Sequence, residues 1–268
     1  MKQRNFATRR PPNDPGHHIY GTYAILEWLH GRPSHLRVIH YDPRSMDRKT
    51  ILGTLAENAG VSLVPCAGAQ LTAMAGTARH QGVVAVTQPF PYAELDSIIG
   101  KRTRLLLVAD RIQDPQNLGA VLRSAAAGGV GAVIIPRDGS SPVSSTVEAA
   151  AAGGAARVPV CRVTNIARTL RILREHGYWS LGLVPQEAPN LYELDVPDRL
   201  ALVLGGEAGM RSLTMKHCEL RASIPMPGGM QSLNAAVAAA IAIYELQRRW
   251  CGWRVGGSPG TRTSGEIP

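Results

Sequence analysis

Apolar positions along this chain of 268 residues switch repeatedly between a helical and a strand-like period. In YGTYAILEWLHG, Tyr20, Ala24 and Trp28 recur at a spacing of four, which predicts a helix, and LRVIH (Leu36 to His40) predicts a short strand. Residues 47–59 read as helix, Val61 to Pro65 as strand and GVVAV (Gly82 to Val86) as another, a set that suits a small α/β module over 19–88. A connection over 89–103 follows, with prolines at 89 and 91. The next region, 104–250, opens on LLLVAD, an apolar strand ending in a polar turn that contains Pro115. NLGAVLRSAAAGG then sets Leu118, Val121, Leu122 and Ala125 on one helical face and stops at Gly128 and Gly129. GAVIIP, ARVPV, TNIARTLRILREHG, YWSLGLV and LALVLGG continue the alternation. Apolar runs separated by helices imply an α/β fold whose mostly parallel sheet is covered on both faces. The alanine-rich stretch 145–156 reads as close-packed helix. A final helix spans Ser232 to Arg249, with Arg248 and Arg249 at the end where positive charge suits the helix dipole. No repeat of 20 to 50 residues is visible.

Composition adds a formal charge of +9, from 29 basic and 20 acidic residues. Residues 1–18 and 248–268 each carry four basic side chains and one acidic, so most of the excess sits at the ends. Residues 1–18, with three prolines, read as a loose basic arm, and 251–268 as a loose tail. Arginine-rich ends admit a nucleic-acid partner, although terminal charge also serves solubility alone. Four cysteines are too sparse for a disulfide scaffold or a paired metal site. The amino terminus has no apolar signal core and no run is apolar enough to span a bilayer, so a reduced cytoplasmic protein is expected.

The familiar motifs for chemistry on an α/β sheet are missing. No strand-placed GxGxxG has an acidic ribose partner, and GxxxxGK[ST], HExxH and GxSxG are absent. Dinucleotide, P-loop, zinc-hydrolase and ordinary α/β-hydrolase chemistry therefore have no motif behind them. Three segments remain. In DRIQDPQNLGAVLR, Asn117 stands near a helix start and reads equally as a cap. Arg123 lies four after Gly119, whose missing side chain leaves room above the guanidinium; a solvated surface arginine is the plainer reading. In LALVLGGEAGMR a buried-type strand releases into Gly205, Gly206, Glu207 and Gly209, as ligand sites at strand ends do, and as tight turns also do. In RASIPMPGGMQSLNAAVAAAIAIYELQRR, Ser232 and Asn234 lead into a helix whose free N–H groups suit a ligand's polar atoms, or are simply capped.

Taken together, NLGAVLR, LGGEAGMR and IPMPGGMQSLNAAVA resemble, in order and separation, the three motifs of the SpoU-type branch of the SPOUT superfamily. Its members are S-adenosylmethionine (AdoMet)-dependent RNA ribose 2′-O-methyltransferases. IYGTYAILEWL and HQGVVAV resemble the family's amino-terminal, ribosomal-protein-like RNA-binding domain. The resemblance covers about 18–250 and is nearest to enzymes that methylate a guanosine ribose of large-subunit rRNA. It implies a carboxy-terminal trefoil-knotted domain, a homodimer meeting through that domain, AdoMet and no metal, RNA and neither DNA nor membrane. AdoMet contacts are implied at Leu204, Gly205, Gly206, Ile224, Met226 and Leu233, and active-site positions at Asn117, Arg123, Glu207, Ser232 and Asn234. Because a guanidinium stays protonated at neutral pH, Arg123 suits holding the target's 3′-phosphate and steering the 2′-oxygen. Asn117 and Asn234 would orient it, Glu207 would fix Arg123 or take part in proton removal, and Ser232 would bond the ribose or the neighbouring loop. Three positions depart from the family pattern. GGEAG is one residue short of G-x-E-G-x-G, Ala236 replaces a hydroxyl, and Ala156 stands where relatives often carry Glu. A transfer-RNA target, or a non-catalytic RNA-binding or ribosome-assembly relative, is the alternative.

Overall fold

The computed structural model describes residues 17–44, 49–185 and 188–251. Its first sheet is built from β1 (His17–Tyr20), α1 (Thr22–Gly31), β2 (Leu36–Tyr41), α2 (Lys49–Asn58), β3 (Ser62–Pro65), α3 (Gly68–Ala75) and β4 (Val83–Thr87). The strand order is β1-β4-β2-β3, with β4 antiparallel to both neighbours and β3 parallel to β2. β4 is buried along its whole length, and the fully buried Trp28 seats α1. His17 and His18, which the sequence pattern groups with the loose arm, instead open β1, because their backbone pairs with Thr87 and Val86. The rest of the arm, and the tail beyond Cys251, lie outside the described residues.

The connection contains a short helix, α4 (Leu95–Gly100), since Ile98 and Ile99 find a place in the core below the second sheet. That sheet collects β5 (Leu105–Asp110), α5 (Pro115–Ala127), β6 (Ala132–Pro136), α6 (Ser145–Ala151), α7 (Gly154–Arg157), β7 (Val160–Val163), α8 (Ile166–Glu175), β8 (Trp179–Leu183), β9 (Leu200–Gly205), α9 (Ser212–Lys216), β10 (Leu220–Ala222) and α10 (Ala235–Cys251). The order is β10-β8-β9-β5-β6-β7, and each of these pairings is parallel.

β5 shows why an unbroken apolar run is needed. Leu105, Leu107 and Ala109 enter the core shared with α5 and α10, while Leu106 and Val108 enter the one shared with α4 and α8. Each fully buried leucine contributes about 1.5–3 kcal/mol relative to exposure. From β5 the chain moves outward to β6 and β7, and then places β8, β9 and β10 on the other side. The order therefore reverses between β5 and β9, where open α/β sheets leave a crevice at their carboxyl ends.

The alanine-rich stretch is helical but broken. Ala152 (φ 46) and Gly153 (φ 93) turn the chain between α6 and α7. A Cβ on Gly153 would lie 2.2 Å from Glu27 Cγ, so α1 of the first sheet packs directly on this corner. The two halves also meet at Glu148, 1% exposed, which accepts from Trp28 Nε1 at 2.6 Å and lies 3.3 Å from His17 Nε2. Arg157 adds an ion pair to Glu27, its Nη2 2.8 Å from Oε1.

Candidate active site

The crevice at the carboxyl ends of β5, β8 and β9 is a cavity of about 500 Å³. Its walls come from Leu183 and Val184 after β8, Leu204 to Met210 after β9, Ile224 and Met226 after β10, Asn117 on α5, and Ser232 to Ala235 before and at the start of α10. All six expected cofactor positions line it: Leu204, Gly205, Gly206, Ile224, Met226 and Leu233. So do Asn117, Glu207, Ser232 and Asn234.

The polar groups are joined in series. Asp114 is the cap of α5, its side chain accepting from Gln116 N at 3.0 Å ahead of Pro115. Asn117 is therefore free of the capping role that the sequence also allowed. Asn234 does cap α10, accepting from Ala236 N at 2.8 Å, and the final helix thus starts at Ala235 and not at Ser232. Its Nδ2 donates to Asn117 Oδ1 at 2.9 Å, and Asn117 Nδ2 donates to Glu207 Oε1 at 2.6 Å. This order of donors and acceptors fixes which way both amides face. Each donor in the chain points toward the carboxylate, so the bonds polarise one another and hold Glu207 at the mouth of the cavity.

Glu207 sits on a turn closed by Gly209 N donating to Gly206 O at 2.9 Å, with Gly209 at φ 73. The turn is one residue short of the family pattern, yet the cavity stays open beside it. Two glycines make that possible. A Cβ on Gly205 would lie 2.2 Å from Met210 N, and one on Gly206 2.0 Å from Arg111 O. Arg111 itself has φ 65, a left-handed conformation that costs a non-glycine residue about 1 kcal/mol or more and turns its carbonyl onto Gly206.

Arg123 is placed differently. It is exposed and does not line this cavity. Gly119 makes no room above its guanidinium, because Gly119 is buried against α6, where a Cβ would meet Ala150 Cβ at 2.4 Å. The small residue serves helix contact instead. Gly154 does the same one layer on, a Cβ there lying 2.8 Å from Arg123 Cα. Ala156 is buried in the core that α1 and α7 share and is likewise absent from the lining, whereas Ala236 is buried on α10, one helical turn before Ala239. Arg248 and Arg249 do more than face a helix end: both pair with Glu245, and Arg249 Nη2 donates to Leu191 O at 2.7 Å. The bonds from Arg248 and then Arg249 hold the Glu245 carboxyl below its ordinary range.

Sequence reasoning missed Asp110, which ends β5 wholly buried beneath the Glu207 turn. The one signal was a carboxylate closing an otherwise apolar strand. Of the cysteines, burial pushes the Cys161 thiol up to about 11 and the Cys218 thiol up to about 12, which keeps both protonated and unsuited to nucleophilic work. Among the described residues no cluster of His, Cys, Asp or Glu is arranged to hold a metal.

Residues 104–244 match the model of the SpoU rRNA methylase family, more than half of the chain. The chain belongs to the SpoU rRNA methylase family. Residues 18–93 match a second model, described as RNA 2′-O ribose methyltransferase substrate binding. Among SpoU relatives, the 23S rRNA (guanosine-2′-O-)-methyltransferase RlmB of Nitrosomonas europaea is 42% identical over 237 residues, 87% of this chain and 91% of that protein. The RlmB of Xylella fastidiosa is 40% identical over 241 residues, 86% of this chain and 96% of that protein. A TrmH-family structure from Porphyromonas gingivalis superposes with a TM-score of 0.72 at 26% identity, covering 87% of this chain and 90% of its own. The SpoU motifs are thus the segments that converge on the cavity, with Arg123 as the exception.

Proposed function

We propose that this SpoU protein transfers a methyl group from AdoMet to the ribose 2′-hydroxyl of a guanosine in large-subunit rRNA. The observation that carries the reading is the bonded series Asn234–Asn117–Glu207 at the polar end of a cavity otherwise walled by Leu204, Ile224, Leu233 and methionines. The guanosine and the rRNA class are supported by the names of the RlmB relatives.

The residues fit the cofactor. A cavity of this size is in the usual range for small-ligand sites, about 300–1,000 Å³, and offers an apolar body with polar groups gathered at one end. Leu204, Gly205, Gly206, Ile224, Met226 and Leu233 would hold AdoMet, which supplies an electrophilic methyl group on sulfur. Ribose hydroxyl is a poor nucleophile until its proton departs, so a positioned acceptor is required. Glu207, held by Asn117, would take that proton. Ser232 bonds the sugar or the adjoining loop. Much of the rate would arise from alignment of oxygen, carbon and sulfur, since a reactive donor needs orientation more than covalent help.

Arg123 completes this proposal in a homodimer. Exposed and away from its own cavity, it would hold the target's 3′-phosphate in the site of the partner subunit. The trefoil-knotted path belongs to the same reading, and its support is the match of residues 104–244 to the SpoU family. So do the division into 19–88 and 104–250 around a 89–103 linker, and a cytoplasmic location. No described helix is long and apolar enough to cross a membrane.

The test is methylation of ribosomal and transfer RNA from a strain lacking the gene, with labelled AdoMet and mapping of the modified ribose. Label confined to transfer RNA moves the target, and label in neither overturns the enzyme. Titration calorimetry separates the non-catalytic alternative, which predicts no AdoMet binding at high micromolar concentration.

A further inference from the structure

The turn that carries Glu207 is strapped at both ends to one buried residue. Asp110 closes β5 with no exposure, and its backbone pairs in register with Gly205. Its carbonyl accepts from Gly206 N at 2.9 Å, at the entry of the turn. Its Oδ2 accepts from Arg211 N at 2.9 Å, at the exit. The Arg211 guanidinium folds back over the same carboxylate, Nε 3.5 Å from Oδ1, and its Nη2 donates to Asp138 O at 3.0 Å. Asp110 Oδ1 has no hydrogen-bond partner among the described residues, so the carboxylate is not fully repaid for leaving water. A buried ion pair is a weak source of stability, and apolar residues of the same volume often do as well. Stability alone therefore does not account for a carboxylate here.

We infer that Asp110 and Arg211 are positioning residues that set the height of the Glu207 turn against β5. The inference rests on the methyltransferase reading. Asp110 touches neither end of the Asn234–Asn117–Glu207 series. It acts on the series from below, fixing the backbone on either side of Glu207 so that its oxygen meets Asn117 without the carboxylate having to search. Glu207, Ala208 and Gly209 are all solvent-facing, so besides Asp110 the turn is held only by its own Gly209–Gly206 bond, the Asn117 bond to Glu207 and the seating of its glycines on Arg111 and Met210. Arg211 supplies both the amide that Asp110 grips and the countercharge, and through Asp138 it ties the exit of the turn to the loop after β6.

Two measurements test this, on the full chain with Asp110→Asn, which keeps an acceptor for Arg211 N–H, and Asp110→Ala, which does not. In hydrogen–deuterium exchange, the bonded amides of Gly206, Gly209 and Arg211 should exchange at least about tenfold faster in Asp110→Ala and by a smaller factor in Asp110→Asn, while those of β5 and β9 stay protected. In steady-state assays, Asp110→Asn should lower kcat about tenfold or more with KM for RNA held within about threefold. The deciding comparison is the double variant with Glu207→Gln, where Asp110→Asn should cost nothing further. Additive losses, or exchange in the turn unchanged in Asp110→Asn, overturn the inference. If Asp110→Ala does not fold, Asp110→Asn alone decides it. A wild-type protein that transfers no methyl group defeats the methyltransferase reading instead, and the exchange arm then still decides whether Asp110 holds the turn.

Discussion

Gly206→Ala adds one methyl group where the structure has no place for it. The new Cβ would stand 2.0 Å from Arg111 O, 2.7 Å from Arg111 C and 3.2 Å from Ile112 Cα, all backbone. Ordinary contact begins near 3.4 Å, so the two chains must part by about 1.4 Å at the nearest pair, in a packed structure that does not compress. Overpacking of this kind costs about 1–3 kcal/mol. The strain has an easy exit, because the turn beyond Gly206 is exposed whereas Arg111 adjoins the buried end of β5. The turn should therefore swing outward, carrying Glu207 from Asn117 and spoiling the wall formed by Gly205 and Met210. Expressed in ligand binding, 1–3 kcal/mol raises the AdoMet Kd about 5- to 150-fold, while Tm falls by no more than about 2–4 °C. Titration calorimetry with AdoMet and a thermal melt on one preparation measure both. A Gly206→Ala protein with wild-type Kd and wild-type Tm refutes the account of how the turn is built.

Arg123→Ala should lower kcat by at least about 100-fold, the size of a lost transition-state charge contact, and leave the AdoMet Kd within about threefold. Mixing it with Glu207→Gln should restore part of the activity, since in the proposed dimer one site then has both residues; no recovery on mixing rejects the cross-subunit assignment. Trp28→Phe removes the donor to buried Glu148 and should cost about 1–3 kcal/mol in urea unfolding, with faster proteolysis between 89 and 103; an unchanged midpoint excludes that bond as a tie between the sheets. His35 stacks on Trp28 with ring centroids 4.3 Å apart, and burial, then the charges of His17 and Arg32, push its imidazole down from 6.5 to about 4. The unfolded chain binds a proton below pH 6.5 that the folded one refuses until about pH 4, so this contribution is complete above 6.5 and is lost as pH falls, by up to about 3 kcal/mol. His35→Phe should flatten the slope between pH 7 and 4.5, and equal slopes in both proteins would dismiss His35 as its source.

The strands of the second sheet were legible because both faces are buried, and an apolar run such as LLLVAD says so directly. The site was legible in its parts: Asn117, Glu207, Ser232 and Asn234 stand at element ends, and the fold brings them to one cavity. What sequence did not show depends on contacts distant along the chain. Asn117 and Asp114 are equally good caps on paper, and only the Asp114 bond to Gln116 N, with the bonds of Asn117 to Asn234 and Glu207, 117 and 90 residues away, shows that Asn117 is engaged elsewhere. Gly119 looked like space for Arg123 because helical spacing relates residues on one helix, whereas Ala150 belongs to another. α4 was obscured by flanking prolines and a single turn and a half of apolar pattern. Asp110 carried a hint but no partner within reach of local reading.

The carboxylate of Glu148 bears on how a substrate would be chosen. It gathers a donor from α1 and a contact from β1, and its own helix α6 is pressed onto α5, which carries Asn117. Swinging the first sheet away would break both contacts to Glu148 and uncover the packing of α1 on α6 and α7. The molecule is therefore a caliper with its jaw locked. In the methyltransferase reading, an RNA held by the first sheet would meet the cavity at the span that this corner sets.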